Sequence, residues 1–564
     1  MTTLKRNFYL QVYPDVRTLI NIGDNSDIDS QYMKKSIAWL VGSLSVLEIM
    51  TTIGALANSI GEAGINAERL HKDPYNLTGR KIAIGQVEIG RPGQFGFDKI
   101  AAWNPKINLA GVYFRNNFVK PNNNLDNHAA MVATMMVSQD KRIPGVAPKA
   151  RLYASAVGEL KRGGQPEECL ASQHVAQQNG GDVRAINFSF GESLQRDPRE
   201  NARLDGNALL TQCIDWSARV HDVLYVIAGN QGEGGIPIPT DHYNGITTAY
   251  TTKQKGKFTK VDFANLSALP VGIGRRLIRH EINTGLRRAI SLVAPGNKII
   301  LYDLSGKINE VSGTSFAAPH ITASVALLQE FGDRQLREKK ANWSLDSRRH
   351  QVMKAVLLNS ADKLQDHGDG LLLGMVRTVL SKKNQTWLKS DAYRDPKTPL
   401  DIEMGTGHLN AFRAYQQFSA GQWKPDKAVS SLGWNYDTIT YNEHHDYVIK
   451  TPLNKGSYVA ITLVWDRHVE LNDTNRNKRY NLGETFRNRG LNNLDLYLMP
   501  ATGKNISQNI CSSISKVDNI EHIFCQVPNT GSYKIRVQYP QPLNQHKQPY
   551  GLAWWSASLT SFPQ

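Results

Sequence analysis

Between residues 77 and 414, short apolar runs alternate with longer stretches in which apolar positions return every three or four residues. Residues 81–87 (KIAIGQV), 185–190 (AINFSF), 223–228 (VLYVIA) and 290–294 (ISLVA) predict buried strands. Residues 128–137, 169–178, 207–220 and 317–331 predict helices between them. Such alternation implies an α/β domain with a largely parallel sheet, whose ligands bind beyond the carboxyl ends of the strands. From about residue 425 the period falls to two, in runs at 458–465, 494–498, 520–527 and 533–539 separated by Gly, Asn and Pro turns. That pattern predicts an all-β sandwich. Near the start, Leu40, Leu44, Leu47, Met50, Ile53, Ala57 and Ile60 recur at helical spacing, interrupted by Glu48 and Asn58. The stretch 36–61 therefore predicts an amphipathic helix packed on protein, and no membrane span is expected. The expected division is a helical N-terminal segment at 1–76, an α/β domain at 77–420 and a sandwich at 425–564.

Composition narrows the class without choosing a function. Charged residues are 21% and hydrophobic residues 40% of 564, a globular balance rather than a disordered or fibrous one. The net charge of +16 would matter if it were clustered. Its densest group, Arg275, Arg276, Arg279, Arg287 and Arg288, lacks interleaved aromatics and any nucleic-acid-binding motif, so it reads as a solvated face and no nucleic-acid partner is expected. None of the four cysteines has CxxC spacing, which excludes the usual zinc pattern. Cys511 and Cys525 are close enough to join neighbouring strands in an oxidising compartment, whereas Cys169 and Cys213 read as isolated. Lys5, Arg6, Asp15 and Arg17 precede no uninterrupted apolar core, so no secretory signal is read and a cytoplasmic location is expected, with secretion by another route left open.

The sharpest chemical signal is SGTSFAAP at 312–319. A turn of small residues brings Ser315 to the start of a helix, where free N–H groups and the positive dipole end can stabilise an oxyanion. A serine nucleophile also needs a base to take its proton and a carboxylate to orient that base. His128, in DNHAAMVATMM, starts a small-residue helix, and Glu88 ends the strand that begins at Lys81. Asn230, in VIAGNQG, follows another strand and carries an amide able to donate to an oxyanion. His320 and His408 suit the chemistry by type but read as structural.

Taken in order, these blocks resemble the subtilisin-like serine peptidases, the subtilases. IAIGQVEIG stands where that family has a strand ending in Asp-Thr-Gly, and HAAMVAT stands for its His-Gly-Thr-His-Val-Ala-Gly. GVAPKARLYA, INFSFG, AGNQG, LVAPG, SGTSFAAPH, KAVLLNSA and GTGHLNAFRA follow in the family's order. The resemblance implies a three-layer α/β catalytic domain with a C-terminal β-sandwich. It also implies an endopeptidase acting through an acyl-enzyme on Ser315, with His128 as base and Glu88 in the place of the family's Asp. Asp98 and Asp126 are the alternative acids, although neither stands on a matched position. Asn230 would complete the oxyanion hole, and Ser189, Phe190 and Gly191 would hold substrate backbone as an added strand. The partner expected is a protein or peptide substrate, with the N-terminal segment as a candidate regulator. No cofactor is required and no metal ligands are assigned; calcium is admitted as an optional ion, with Asp495 considered but no dense run of oxygen ligands around it. Two other readings stand beside the peptidase. One is a transpeptidase or macrocyclase that resolves the same acyl-enzyme with an amine, and the other is a non-catalytic scaffold.

Overall fold

A computed structural model describes residues 59–103, 106–107, 109–158, 164–229, 237–261 and 287–557. All belong to one compact unit, Thr52–Gln564. The expected helix at 36–61 lies outside the described residues except at its last positions, and so do Asn230 and the arginines at 275, 276 and 279.

The centre is a ten-stranded sheet. In chain order its strands are β1 (Ala83–Glu88), β2 (Leu109–Phe114), β3 (Asn117–Phe118), β4 (Arg151–Ala156), β5 (Val183–Phe188), β6 (Leu224–Ala228), β7 (Ile246–Gln254), β8 (Lys257–Val261), β9 (Leu292–Pro295) and β10 (Val379–Leu380). They lie in the order β10-β8-β7-β6-β5-β1-β4-β2-β3, with β9 also paired to β7. The inner pairs are parallel: β2 with β4, β4 with β1, β1 with β5, β5 with β6, and β6 with β7. Buried on both faces, β1, β5 and β6 carry no exposed position, which is why they read as continuous apolar runs.

Helices cover both faces: α1 (Asn127–Val137), α2 (Gln165–Ala176), α3 (Leu209–His221), α4 (Thr314–Arg337), α5 (His350–Asn359) and α6 (Ala411–Ser419). Helix α4 is 24 residues long and buried almost without interruption from Thr314 to Gly332. Its alanines at 317, 318, 323 and 326 let it run close against the sheet and other helices. Two boundaries differ from the sequence expectation. Strand β5 stops at Phe188, releasing Ser189 and Phe190 from the sheet, and α4 starts at Thr314, so Ser315 sits inside its first turn.

The C-terminal region forms one five-stranded and one four-stranded sheet. Trp465, Trp554, Tyr447, Tyr539 and Tyr550 fill the core between them, as a sandwich requires. The strand Lys547–Ser556 packs on α5 so closely that a side chain at Gly551 would meet the Gln351 backbone at 2.7 Å. Buried ion pairs accompany this packing: Arg467 lies 2.9 Å from Asp215, and His350 is held between Asp222 at 2.8 Å and Asp466 at 3.0 Å. A hairpin of strands His468–Asn472 and Thr485–Gly490 leaves the sandwich and packs on α3.

All four cysteines are paired, Cys169 with Cys213 and Cys511 with Cys525. The first pair corrects the reading of two isolated thiols. Its partners lie 44 residues apart but face each other across α2 and α3, a proximity that spacing alone could not reveal.

Candidate active site

Three elements bring the predicted residues together. Strand β1 ends on Glu88, which is 2% exposed. Helix α1 begins beside it because Asp126 caps its first turn, accepting from Ala129 N at 2.7 Å. Gln86, two residues before Glu88, donates to the Ala129 carbonyl at 2.9 Å and fastens that turn to the strand. His128 therefore projects over the strand end, with its Nδ1 3.4 Å from Glu88 Oε2 and its ring edge 37% exposed. The alternative acids are engaged elsewhere. Asp98 makes a two-point pair with buried Arg91 at 2.6 and 2.8 Å, and Asp126 serves as the cap.

Burial raises the Glu88 carboxyl above its ordinary value, an effect that His128 offsets only in part. Burial also tends to strip the proton from His128, but the nearby carboxylates of Glu88 and then Asp126 outweigh it and hold the imidazole above its ordinary value. The pair is an electrostatic unit that favours a proton on the ring.

Helix α4 supplies Ser315. Gly313 precedes the helix at φ 150°, a conformation essentially restricted to glycine. Gly296 lies beneath this turn, where an added Cβ would fall 2.5 Å from Tyr250 Cβ and 2.6 Å from the Gly313 carbonyl. The Phe316 ring, next to Ser315, lies 5.5 Å from the His128 ring. Ser315 Oγ donates to the Ser189 carbonyl at 2.9 Å, while Ser189 Oγ donates to the Ser315 carbonyl at 2.9 Å. Asn187 Nδ2 supports Ser189 Oγ at 2.8 Å, and Thr314 Oγ1 donates to the Gly229 carbonyl at 2.9 Å.

Ser189 is buried, Phe190 is half-buried and stacks on Phe188 at 4.3 Å, and Gly191 is exposed. These residues form a wall beside Ser315. Gln86, Asn187 and Thr314 carry no chemical signal of their own in the sequence, although the strand alternation puts Gln86 and Glu88 on one face and Asn187 and Ser189 at one strand end. His320 gives Nδ1 to the Phe316 carbonyl at 2.7 Å and is pushed down to about 4 by burial. His408 packs 4.1 Å from the Phe258 ring and is also lowered by burial. Both are fully buried.

Asp495 accepts from Asn493 and Tyr497 at 3.0 Å each. Among the described residues, no three or more His, Cys, Asp or Glu side chains gather into a metal-holding group, and no helix is long and apolar enough to cross a membrane. Arg287 is buried, donating to the carbonyls of Asp241 and His242, so one member of the arginine cluster is not a solvated face.

The chain matches the subtilase family over residues 104–376, a span that contains His128 and Ser315 and begins after Glu88. It is 24% identical over 271 residues to Subtilisin NAT of Bacillus subtilis subsp. natto, covering 48% of this chain and 60% of that protein. To Thermitase of Thermoactinomyces vulgaris it is 22% identical over 241 residues, covering 43% of this chain and 68% of the relative. An alkaline protease of Alkalihalobacillus alcalophilus is 24% identical over 339 residues, covering 58% and 73%. Among solved structures, the prenylagaramide maturation protease PagA is 20% identical, covering 60% of this chain and 93% of that one, with a TM-score of 0.38.

Proposed function

Because this chain belongs to the subtilase family, we propose that it is a serine endopeptidase whose own side chains supply the chemistry. Ser315 attacks the scissile carbonyl, and His128 takes its proton and returns it to the leaving amine. Glu88 holds the ring with Nδ1 protonated and Nε2 free to act as the base, and it stabilises the imidazolium as it forms. The single observation that carries the reading is the approach of His128 Nδ1 to Glu88 Oε2 at 3.4 Å, beside the helix turn that bears Ser315.

In the resting arrangement the Ser315 proton is given to the Ser189 carbonyl. A rotation about the Ser315 Cα–Cβ bond frees it for His128. The oxyanion would form at the first turn of α4, where the Ser315 N–H lies, and the amide of Asn230 is proposed as its second donor on motif grounds. A peptide substrate would lie along residues 189–191 as an added strand. Hydrolysis is favoured over transpeptidation because the catalytic ring is 37% exposed and water can reach the acyl-enzyme. The proposed domain limits remain 77–420 and 425–564, and residues 1–76 are proposed as a regulatory segment. The pairing of all four cysteines favours an oxidising compartment over the cytoplasm.

The test is a fluorophosphonate probe with mass analysis of peptide products. The wild type should be labelled and Ser315→Ala should not, and products should carry one added water. An unlabelled wild type would leave the scaffold reading, and joined products would establish the transpeptidase.

A further inference from the structure

We propose that Gln86 is a positioning residue of the site: by holding the start of α1 at a fixed distance from β1, it sets the approach of His128 to Glu88. Its effect on turnover rests on the serine-peptidase reading, whereas its effect on the imidazole does not. Strand β1, AIGQVE, is polar at only two places, Gln86 and Glu88. Strand side chains alternate, so these two leave one face together. They have the same number of carbons, one ending in an amide and the other in a carboxylate, and both reach the first turn of α1. Gln86 Nε2 donates to the Ala129 carbonyl at 2.9 Å, and Glu88 Oε2 lies 3.4 Å from His128 Nδ1. Adjacent helix residues thus stand on two side chains of equal reach. A glutamate in the place of the family's aspartate needs the helix start one carbon–carbon bond further out, and the glutamine two residues earlier is a spacer of that length.

Two features separate Gln86 from an ordinary core residue. It is 1% exposed, and its Oε1 has no hydrogen-bond partner. A buried polar atom in that state lowers stability, and an apolar side chain of the same shape would avoid the loss. The second feature is the acceptor. The Ala129 carbonyl lies in the first turn of an eleven-residue helix, where the N–H four places on serves it within the ladder. A carbonyl takes a second donor on its other lone pair. The bond from Gln86 therefore rescues no orphan group on the helix; what it fixes is position.

A second attachment of α1 to this strand lies beyond Glu88. The Asp126 N–H donates to the Arg91 carbonyl at 3.0 Å, and Gly90 passes so near that an added Cβ would fall 2.3 Å from Asp126 Cβ. Glu88 stands between that anchor and Gln86. Without the tie at Gln86, the helix start is free to pivot about Asp126 and carry His128 away from the carboxylate. Glu88 Oε1 is also buried without a partner, so no hydrogen bond on that oxygen steers the carboxylate after the ring. The charged groups that act on His128 are Glu88 on β1 and Asp126 ahead of α1, while α4 presents the uncharged Phe316. Asp126 moves with the ring, so a pivot changes chiefly the influence of Glu88.

The test is Gln86→Met, which keeps the shape and removes the donor, made in the full chain carrying Ser315→Ala and ring-labelled histidine. NMR follows the titration of His128, assigned by the signal lost in His128→Gln. A retreat of the ring by about 1.5 Å, at an effective dielectric of about 20, lowers its midpoint by about one pH unit. Gln86→Met should show that fall with a Tm no lower than its parent, and should add no shift to Glu88→Gln, which has no carboxylate to retreat from. With Ser315 present, kcat should fall about tenfold to a hundredfold with KM little changed. An unmoved His128 midpoint in Gln86→Met, or an equal shift in the Glu88→Gln background, overturns the proposal. Failure of the wild type to take a fluorophosphonate would overturn the peptidase reading alone, because the titration would still decide the role of Gln86.

Discussion

Replacing Glu88 tests the proposed triad most directly, because the pair with His128 is close and nearly dry on the carboxylate side. At an effective dielectric of about 20, unit charges 3.4 Å apart attract by about 5 kcal/mol. Glu88→Gln removes the whole term, and it can also present an amide N–H to Nδ1, which favours the wrong ring tautomer. Glu88→Asp withdraws the carboxylate by one carbon–carbon bond, about 1.5 Å, and reduces the attraction by about 1.5 kcal/mol. Water at the ring edge, where His128 is 37% exposed, screens both terms, so these figures are upper bounds. The expected fall in kcat is about 10³ to 10⁴ for the amide and at most about tenfold for the aspartate.

The assay is kcat and kcat/KM on a fluorogenic peptide, with active sites titrated by fluorophosphonate so that unfolded protein does not count. A pH profile separates orientation from folding. In the wild type the carboxylates hold His128 above its ordinary value, so activity should rise as the pH passes above the usual histidine range. In Glu88→Gln the raising influence is lost while burial remains, so the residual activity should rise at lower pH. If Glu88→Gln kept kcat within tenfold of the wild type with an unmoved pH limb, Glu88 would not be the orienting acid.

Three further outcomes follow from the packing. Ser189→Ala leaves the Ser315 carbonyl without its 2.9 Å donor and should cost about 1–3 kcal/mol in chemical denaturation, with a loss of kcat larger than any change in KM. Gly296→Ala pushes a methyl group against Tyr250 and the Gly313 carbonyl; it should destabilise the fold by about 1–3 kcal/mol and slow fluorophosphonate labelling of Ser315. His350 is raised to about 9, because Asp466 and Asp222 outweigh its burial. Its stabilising contribution is therefore complete below the unfolded value near 6.5 and is lost as pH rises through about 9. Tm should fall over that range in the wild type, and His350→Gln should have a lower Tm at neutral pH with a flatter dependence.

The sequence made the central sheet legible because β1, β5 and β6 are buried on both faces and appear as apolar runs. The edges were less visible. Strand β2 buries only two of its six residues, and β3 has two residues, both exposed, so neither carries a continuous buried run. His128, Glu88 and Ser315 could be named because each occupies a strand end or a helix start with a recognisable neighbourhood. Their supports could not, since the hydrogen bond from Gln86 to Ala129 spans 43 residues and that from Ser189 to Ser315 spans 126. The same limit hid the Cys169–Cys213 pair, whose partners meet only when two helices are set side by side.

Pro319 shows how one residue links these levels. Placed among the small residues after the serine, it reads from sequence as a first-turn proline whose missing N–H costs nothing. In the structure α4 already begins at Thr314, so Pro319 is the sixth helical residue and the missing N–H has a consequence. The carbonyl four residues earlier, which that N–H would have bonded, is that of Ser315. Ser189 Oγ takes the vacant role at 2.9 Å, and Asn187 fixes the direction of that hydroxyl. The proline thus opens a place in the helix ladder, and the residue that fills it comes from the wall beside the proposed nucleophile. Ser315 is tied through its main chain to residues 187–189, and its hydroxyl rests on the carbonyl of the same Ser189. A backbone N–H that took that carbonyl from Ser315 would release the hydroxyl toward His128 while the main-chain tie still held the helix start in place.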